Sequence, residues 1–231
     1  MFSVLCINQV ACRRKKFAVE AILSPVRAAA PYLLINVTPG KKGIDWRMVA
    51  EAAGGSRRCM LIPEAVTLPL NAGIETFEPK VMPLLTALNS AANFCKSTVK
   101  HNVLVVDRKA VLAEYIDRIV PHVRAITVVT DLPESYYESA VRIMESFGAS
   151  IKICSDVKDG NKFDIAVASE EVSGAEVVFT AESFLRGDCR ADISADCIKL
   201  CPDGIDPFLF ACALFECCGL KSLSELTLIN R

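Results

Sequence analysis

Asp107, Arg108 and Lys109 stand directly after four branched apolar residues, Val103 to Val106, and ahead of the amphipathic stretch "AVLAEYIDRIV". A carboxylate and two cations at a strand-to-helix turn can serve a phosphate-bearing ligand. Arg108 or Lys109 would grip the phosphate, and the free N–H groups of the helix start would face it. The same residues can equally serve the fold, with Asp107 capping the helix and both bases in water. Asp131 closes the next apolar run, "AITVVTD", roughly 20 residues on, where an acid can hold sugar hydroxyls. It can also cap the following helix, with Glu134 completing a capping box. Ser169 and Glu170 in "SEEVSG", and Asp203 in "CPDGID", follow later apolar runs. If these runs are strands of one open sheet, Asp107, Asp131, Ser169, Glu170 and Asp203 ring a crevice at its carboxyl edge, where ligands of such sheets bind. The crevice is acidic unless Arg108 and Lys109 offset it, and so suits a cationic or polar neutral ligand.

Other chemistries lack their residues. There is no P-loop, H-E-x-x-H, C-x-x-C or G-x-S-x-G, so no phosphate cradle, zinc helix or nucleophile elbow is read. His101 and His122 have no relay partner nearby in sequence. The chain has eleven cysteines. Cys6, Cys59, Cys154 and Cys212 sit in apolar runs, as expected of small core hydrophobes in a reducing compartment. Cys189, Cys197, Cys201, Cys212, Cys217 and Cys218 crowd the C-terminal part. Cys197 and Cys201 alone have a short regular spacing, C-x3-C. Read as the strand "CIKLC", they lie about 13 Å apart, too far for one ion. Core packing is expected and no metal is assigned; catalytic residues stay unassigned.

The charge balance narrows the partners. A net charge of −1 and a pI near 6.2 give no basic excess for a phosphate backbone, so nucleic acid is not expected. The mean hydropathy of +0.35 is high, but the longest apolar stretch, "PFLFACALF", is about half the roughly 20 residues a spanning helix needs. In "MFSVLCINQVACRRKK" the charges follow the apolar run, the reverse of a secretory leader. The expectation is a cytoplasmic protein without a membrane segment.

Residues 1–99 read as a smaller α+β domain with strands at "FSVLCI", "FAVEAIL", "PYLLINV" and "RCMLIP", and "CRRKK" as a basic turn. Asp45 caps the helix "WRMVAEAA", which Gly54 and Gly55 stop. A second helix is expected at "VMPLLTALNSAANF", and the polar "CKSTVKHN" (95–102) is the expected boundary. Residues 100–231 alternate apolar strands with helices. Strand "NVLVVD" leads to a helix with Leu112, Tyr115, Ile116, Ile119 and Val123 inward, ended by Pro121. "AITVVTD" leads to one with Tyr137, Ala140, Val141 and Met144 inward, ended by Gly148. "SIKICSD", "FDIAVAS", "AEVVFTA" and "CIKLCP" are further strands. Continuous apolar strands between helices imply an α/β fold with a doubly wound, mostly parallel sheet. The last helix, 207–218, starts at Asp206 and Pro207 and ends at Gly219. It is apolar on nearly every side, and so is either buried or a contact in a homodimer.

By element order, residues 102–202 resemble a degenerate Rossmann-type domain, like the second domain of shikimate-dehydrogenase-like oxidoreductases. Set on its G-x-G-x-x-G, the three glycines fall on Asp107, Lys109 and Leu112. The tight turn, the approach of a pyrophosphate and the close helix packing that those glycines allow are all withdrawn. A phosphoacceptor receiver domain, with its further acids, matches poorly. The expected function is therefore a small-ligand-binding or protein-interaction module. The resemblance implies the alternative of an oxidoreductase that binds NAD(P) atypically in the cleft between the halves. A cysteine-based metal or redox protein is a third reading.

Overall fold

Branched apolar runs between turn residues form strands in two separate sheets. The computed structural model describes residues 1–8, 16–26, 30–96, 100–157 and 162–227. Most of the "CRRKK" turn, and residues 97–99 of the expected boundary, lie outside these. The chain forms two units, Met1–Pro79 with Ile193–Leu223, and Lys80–Asp192 with Ser224–Arg231.

The first unit holds a four-stranded mixed sheet in the order β2-β3-β1-β4. Strand β1 (Ser3–Ile7) runs parallel to β3 (Ala30–Thr38) and β4 (Met60–Leu61), while β2 (Ala18–Val26) pairs antiparallel with β3. Asp45 accepts from the Met48 N–H and starts α1 (Trp46–Ala53), and Gly54 ends it at φ 55°. Leu5, Ile35, Val37, Val49 and Met60 form the core beneath α1. Helices α5 (Ala195–Leu200) and α6 (Pro207–Cys218) belong to this unit. Asp206 caps α6 through the Leu209 N–H, Pro207 opens it, and Gly219 closes it at φ 69°, as the sequence predicts. Phe208 and the run Phe210 to Phe215 are buried, and Phe210 meets Phe2 and Tyr32 edge-on.

The second unit is an all-parallel five-stranded sheet, β7-β6-β5-β8-β9. Its strands are β5 (Asn102–Val106), β6 (Ala125–Val129), β7 (Ile151–Cys154), β8 (Phe163–Ala168) and β9 (Ala175–Thr180). Counted in chain order this is 3-2-1-4-5, with the turn after β5 at the centre. The flanking helices are α2 (Met82–Cys95), α3 (Tyr137–Phe147) and α4 (Ala181–Leu185). The mixed α/β fold, with a parallel sheet and a smaller sheet before it, is the one the sequence predicts. The division falls at Pro79, ahead of the expected 95–102, because α2 packs on β8 and β9. The apolar C-terminal helix returns to the first unit.

Four local expectations are corrected. No α-helix follows β5: residues 108–123 form turns and two short 3-10 segments, Ile116–Arg118 and Val120–His122. Ala110 lies at φ 54°, a left-handed conformation that interrupts a helix at its start. Pro121 denies a backbone donor at its end. In α3 three of the four expected inward residues face out: Tyr137 is 60% exposed, Val141 58% and Met144 52%, with Ala140 half-buried, while Ser139 and Ile143 are buried. Hydrogen bonds of Tyr136 and Ser139 set that rotation. Asp131 caps nothing. The next segment, a 3-10 turn from Pro133 to Tyr136, has no side-chain cap, and Thr130 Oγ1 takes the Leu132 N–H instead. Finally, "CIKLC" is part of α5, started by Ser194 accepting from the Cys197 N–H. An N-cap serine outweighs the short apolar alternation there.

Candidate functional site

At the turn after β5, Asp107 is 1% exposed. Its carboxylate accepts from the Val111 N–H at 3.0 Å, the Leu112 N–H at 2.7 Å and the Tyr136 hydroxyl at 2.6 Å. The backbone donors that could have met a phosphate are thus bonded to the chain's own acid. Burial, and then the adjacent charge of Asp107, pushes the Tyr136 hydroxyl far above the usual phenol range. It therefore remains a donor, and the pair is a fixed buried clasp.

Arg108 lies along the carboxyl ends of three strands. It donates to Asp131 Oδ1 at 3.1 Å, after β6, and to the Ser155 carbonyl at 2.6 Å, after β7. Its own carbonyl accepts from the Asp131 N–H. The acid that would hold ribose hydroxyls and the cation that would hold phosphate therefore hold each other. Both side chains are about half exposed or more, so the pair contributes at most about 1 kcal/mol. What it does is occupy the centre of the edge. Lys109 is exposed beside it.

Ser169 and Glu170 follow β8 and are exposed; the Ser169 carbonyl accepts from Glu182 N. Asp203 belongs to the first unit and follows α5, not a strand of this sheet. The proposed ring thus reduces to Asp107, Arg108 and Asp131 bonded in place, with Lys109, Ser169 and Glu170 in solvent. Cys197 and Cys201, one helical turn apart, are closer than the strand reading implied. Among the described residues no group of three or more His, Cys, Asp or Glu could hold a metal ion.

A site missed in the sequence lies in the same unit, at the C-terminal end of α2. A cavity of about 340 Å³ is lined by Asn89, Ala92, Asn93, Lys96, Arg118, His122 and Thr227. Asn89 is 7% exposed and donates to the carbonyls of Ser224 and Leu226. Arg118 is fixed by donating to Asn89 Oδ1 (3.2 Å), the Ser224 carbonyl (2.6 Å) and Ser224 Oγ (3.0 Å). Its guanidinium also stacks on the Tyr115 ring at 5.0 Å. Lys96 Nζ bonds Asn93 Oδ1 at 2.7 Å. Burial, and then the charge of Lys96, lowers the pKa of His122. Among the described residues two cations, Arg118 held in place and Lys96 exposed, remain against a helix C-terminus worth about half a negative charge, so their balance is positive. Its parts come from α2, the 3-10 segments and residues 224–227, so no local motif announces it. The visible signal is Asn89, an amide within the apolar "LLTALNSAA".

Two other cavities are less organised. One of about 580 Å³ is lined by Phe17, Gly40 to Asp45 and Trp46, but Lys41 and Lys42 are exposed and Asp45 opposes them. Another, of about 390 Å³, lies at the end of α1 between Glu51 and Arg57–Arg58. In comparisons with known proteins the chain matches no family model, no curated protein and no solved structure.

Proposed function

We propose that this chain is a small-ligand-binding protein whose ligand is a small anion, held in the cavity at the end of α2. The observation that carries the reading is a half-buried, hydrogen-bonded Arg118 and a buried Asn89 with Lys96 and His122 around one space of about 340 Å³, lined by no carboxylate among the described residues. A rigid cation loses little conformational entropy on gripping a carboxylate or phosphate group. The volume is at the lower end of small-molecule pockets, which fits a phosphate or a short di- or tricarboxylate rather than a dinucleotide. The closed turn at Asp107 and the Arg108–Asp131 pair weigh against a nicotinamide cofactor on the sheet edge.

The test is thermal unfolding with phosphate, sulfate, succinate and citrate, beside NAD and NADP. A ligand at 100 times its dissociation constant adds about 2.7 kcal/mol. One of the small anions is expected to raise the midpoint, and Lys96→Ala to weaken that anion about tenfold. Its binding is expected to strengthen as pH falls through the lowered pKa of His122, which gains a proton facing the anion. No response to any of them at millimolar concentration, or a response to NAD or NADP instead, overturns the reading.

A further inference from the structure

Cys59 and Cys217 are 158 residues apart in sequence, yet their Sγ atoms lie 3.3 Å apart within the first unit. Each sits on a fixed element. The Cys59 N–H donates to the Ser56 carbonyl and its own carbonyl accepts from Ser3 N, both at 3.0 Å, just before β4. Cys217 is in the last turn of α6, whose residues Phe210 to Phe215 are buried and whose end is set by Gly219. A disulfide requires about 2.05 Å, so the two sulfurs need to approach by only about 1.2 Å to bond. Both residues are half-buried, whereas Cys212 is buried outright. The adjacent Cys218 directs its sulfur to the Pro31 carbonyl at 3.7 Å instead.

We propose that Cys59 and Cys217 are a redox-active dithiol that closes to a disulfide by exchange with a small disulfide and reopens with a thiol reductant. Cys59 attacks. A hydrogen bond from the Cys217 thiol holds the Cys59 pKa down to about 7, while burial pushes Cys95 to about 11 and Cys201 to about 12. The hydrogen bond it makes to Cys59, and then burial, raises the Cys217 thiol and keeps it protonated until it resolves. In the first step the Cys59 thiolate attacks one sulfur of R–S–S–R; that S–S bond breaks and RS⁻ leaves. In the second, Cys217 releases its proton to water and attacks Cys59 Sγ, expelling the second RS⁻. Two protein thiols lose two electrons, and one R–S–S–R becomes two RSH. The new bond ties the N-terminal segment of the first unit to its C-terminal segment.

The native wild-type protein would be treated with oxidised glutathione, alkylated, and mapped by mass spectrometry. Trypsin releases Cys59 at the start of a peptide with no other cysteine, and fragmentation tells Cys217 from Cys218. The expected product is a Cys59–Cys217 link without glutathione mass, reversed by dithiothreitol and raising the thermal midpoint. Cys217→Ser is expected to trap a glutathione adduct on Cys59, and alkylation of Cys59 to be half-maximal near pH 7. A lasting glutathione adduct on wild-type Cys59, a link from Cys59 to Cys218, or an unreactive Cys59 overturns the proposal. The wild-type map decides even if the variant folds poorly.

Discussion

Asp107 concentrates the chemistry of the second unit at a single residue. A carboxylate that is 1% exposed with three donors on it is strongly bound in place, because hydrogen bonds to a charged group contribute about 1.5–3 kcal/mol each. Asp107→Ala leaves two N–H groups and the Tyr136 hydroxyl unpaired, and is expected to cost about 3–5 kcal/mol in urea unfolding. Asp107→Asn keeps an acceptor and should cost less. A loss below about 1 kcal/mol for the alanine variant would show that the carboxylate does not close the turn. Tyr136 adds a pH dependence. In the unfolded chain its phenol titrates near 10, whereas the folded pKa is raised. Above about pH 10 the unfolded state releases a proton that the native state keeps, so stability present below that pH is lost as pH rises. Tyr136→Phe should flatten that decline in alkaline unfolding curves; an unchanged slope would assign it to other groups. The sequence left Asp107 open between cap and ligand residue, since its type suits both. What decides between them is Tyr136, one strand and a turn away, and nothing local foretells a contact across 29 residues.

Elements whose ends are written in residues with one conformational role were legible. Asp45 and Gly54 bracket α1, and Asp206, Pro207 and Gly219 bracket α6, because capping acids and left-handed glycines act within a turn of themselves. The five parallel strands were legible for the same local reason, as branched apolar runs between breakers. Rotation of a helix about its axis was not, where two apolar stripes compete. In α3 the stripe of Tyr137, Val141 and Met144 looks the better core face, yet the buried line is Tyr136, Ser139 and Ile143. Ser139 Oγ donates to the Ala113 carbonyl and Tyr136 to Asp107, and leaving such groups buried without partners costs about 1–3 kcal/mol each. Two substitutions separate the faces. Ile143→Ala is expected to lose about 2–5 kcal/mol, and Val141→Lys to change stability by less than about 0.5 kcal/mol. Equal costs in chemical denaturation would place Val141 in a core and refute the rotation.

Across the whole molecule, neither unit is a single stretch of chain. That is why the boundary read from polar residues 95–102 missed the return of α5 and α6 to the first unit, and of residues after Leu223 to the second. Composition marks linkers; it does not mark which earlier segment a later one rejoins. The basic cavity depends on such a return. The Ser224 and Leu226 carbonyls take the amide of Asn89, the Ser224 carbonyl also takes Arg118, and Thr227 lines the space. Truncation after Leu223 removes all of these acceptors while leaving Asn89 and Arg118 on the sheet side. An amide and a guanidinium stripped of buried partners should cost about 3–5 kcal/mol in the unfolding of the second unit. The same truncation should abolish the stabilisation by small anions, since Arg118 loses the bonds that hold it toward the cavity. The Cys59–Cys217 exchange belongs to the first unit, whose residues end at Leu223, and should persist. Intact anion binding in the truncated chain would detach the cavity from the C-terminal segment, and with it the claim that a fixed Arg118 is what makes the site.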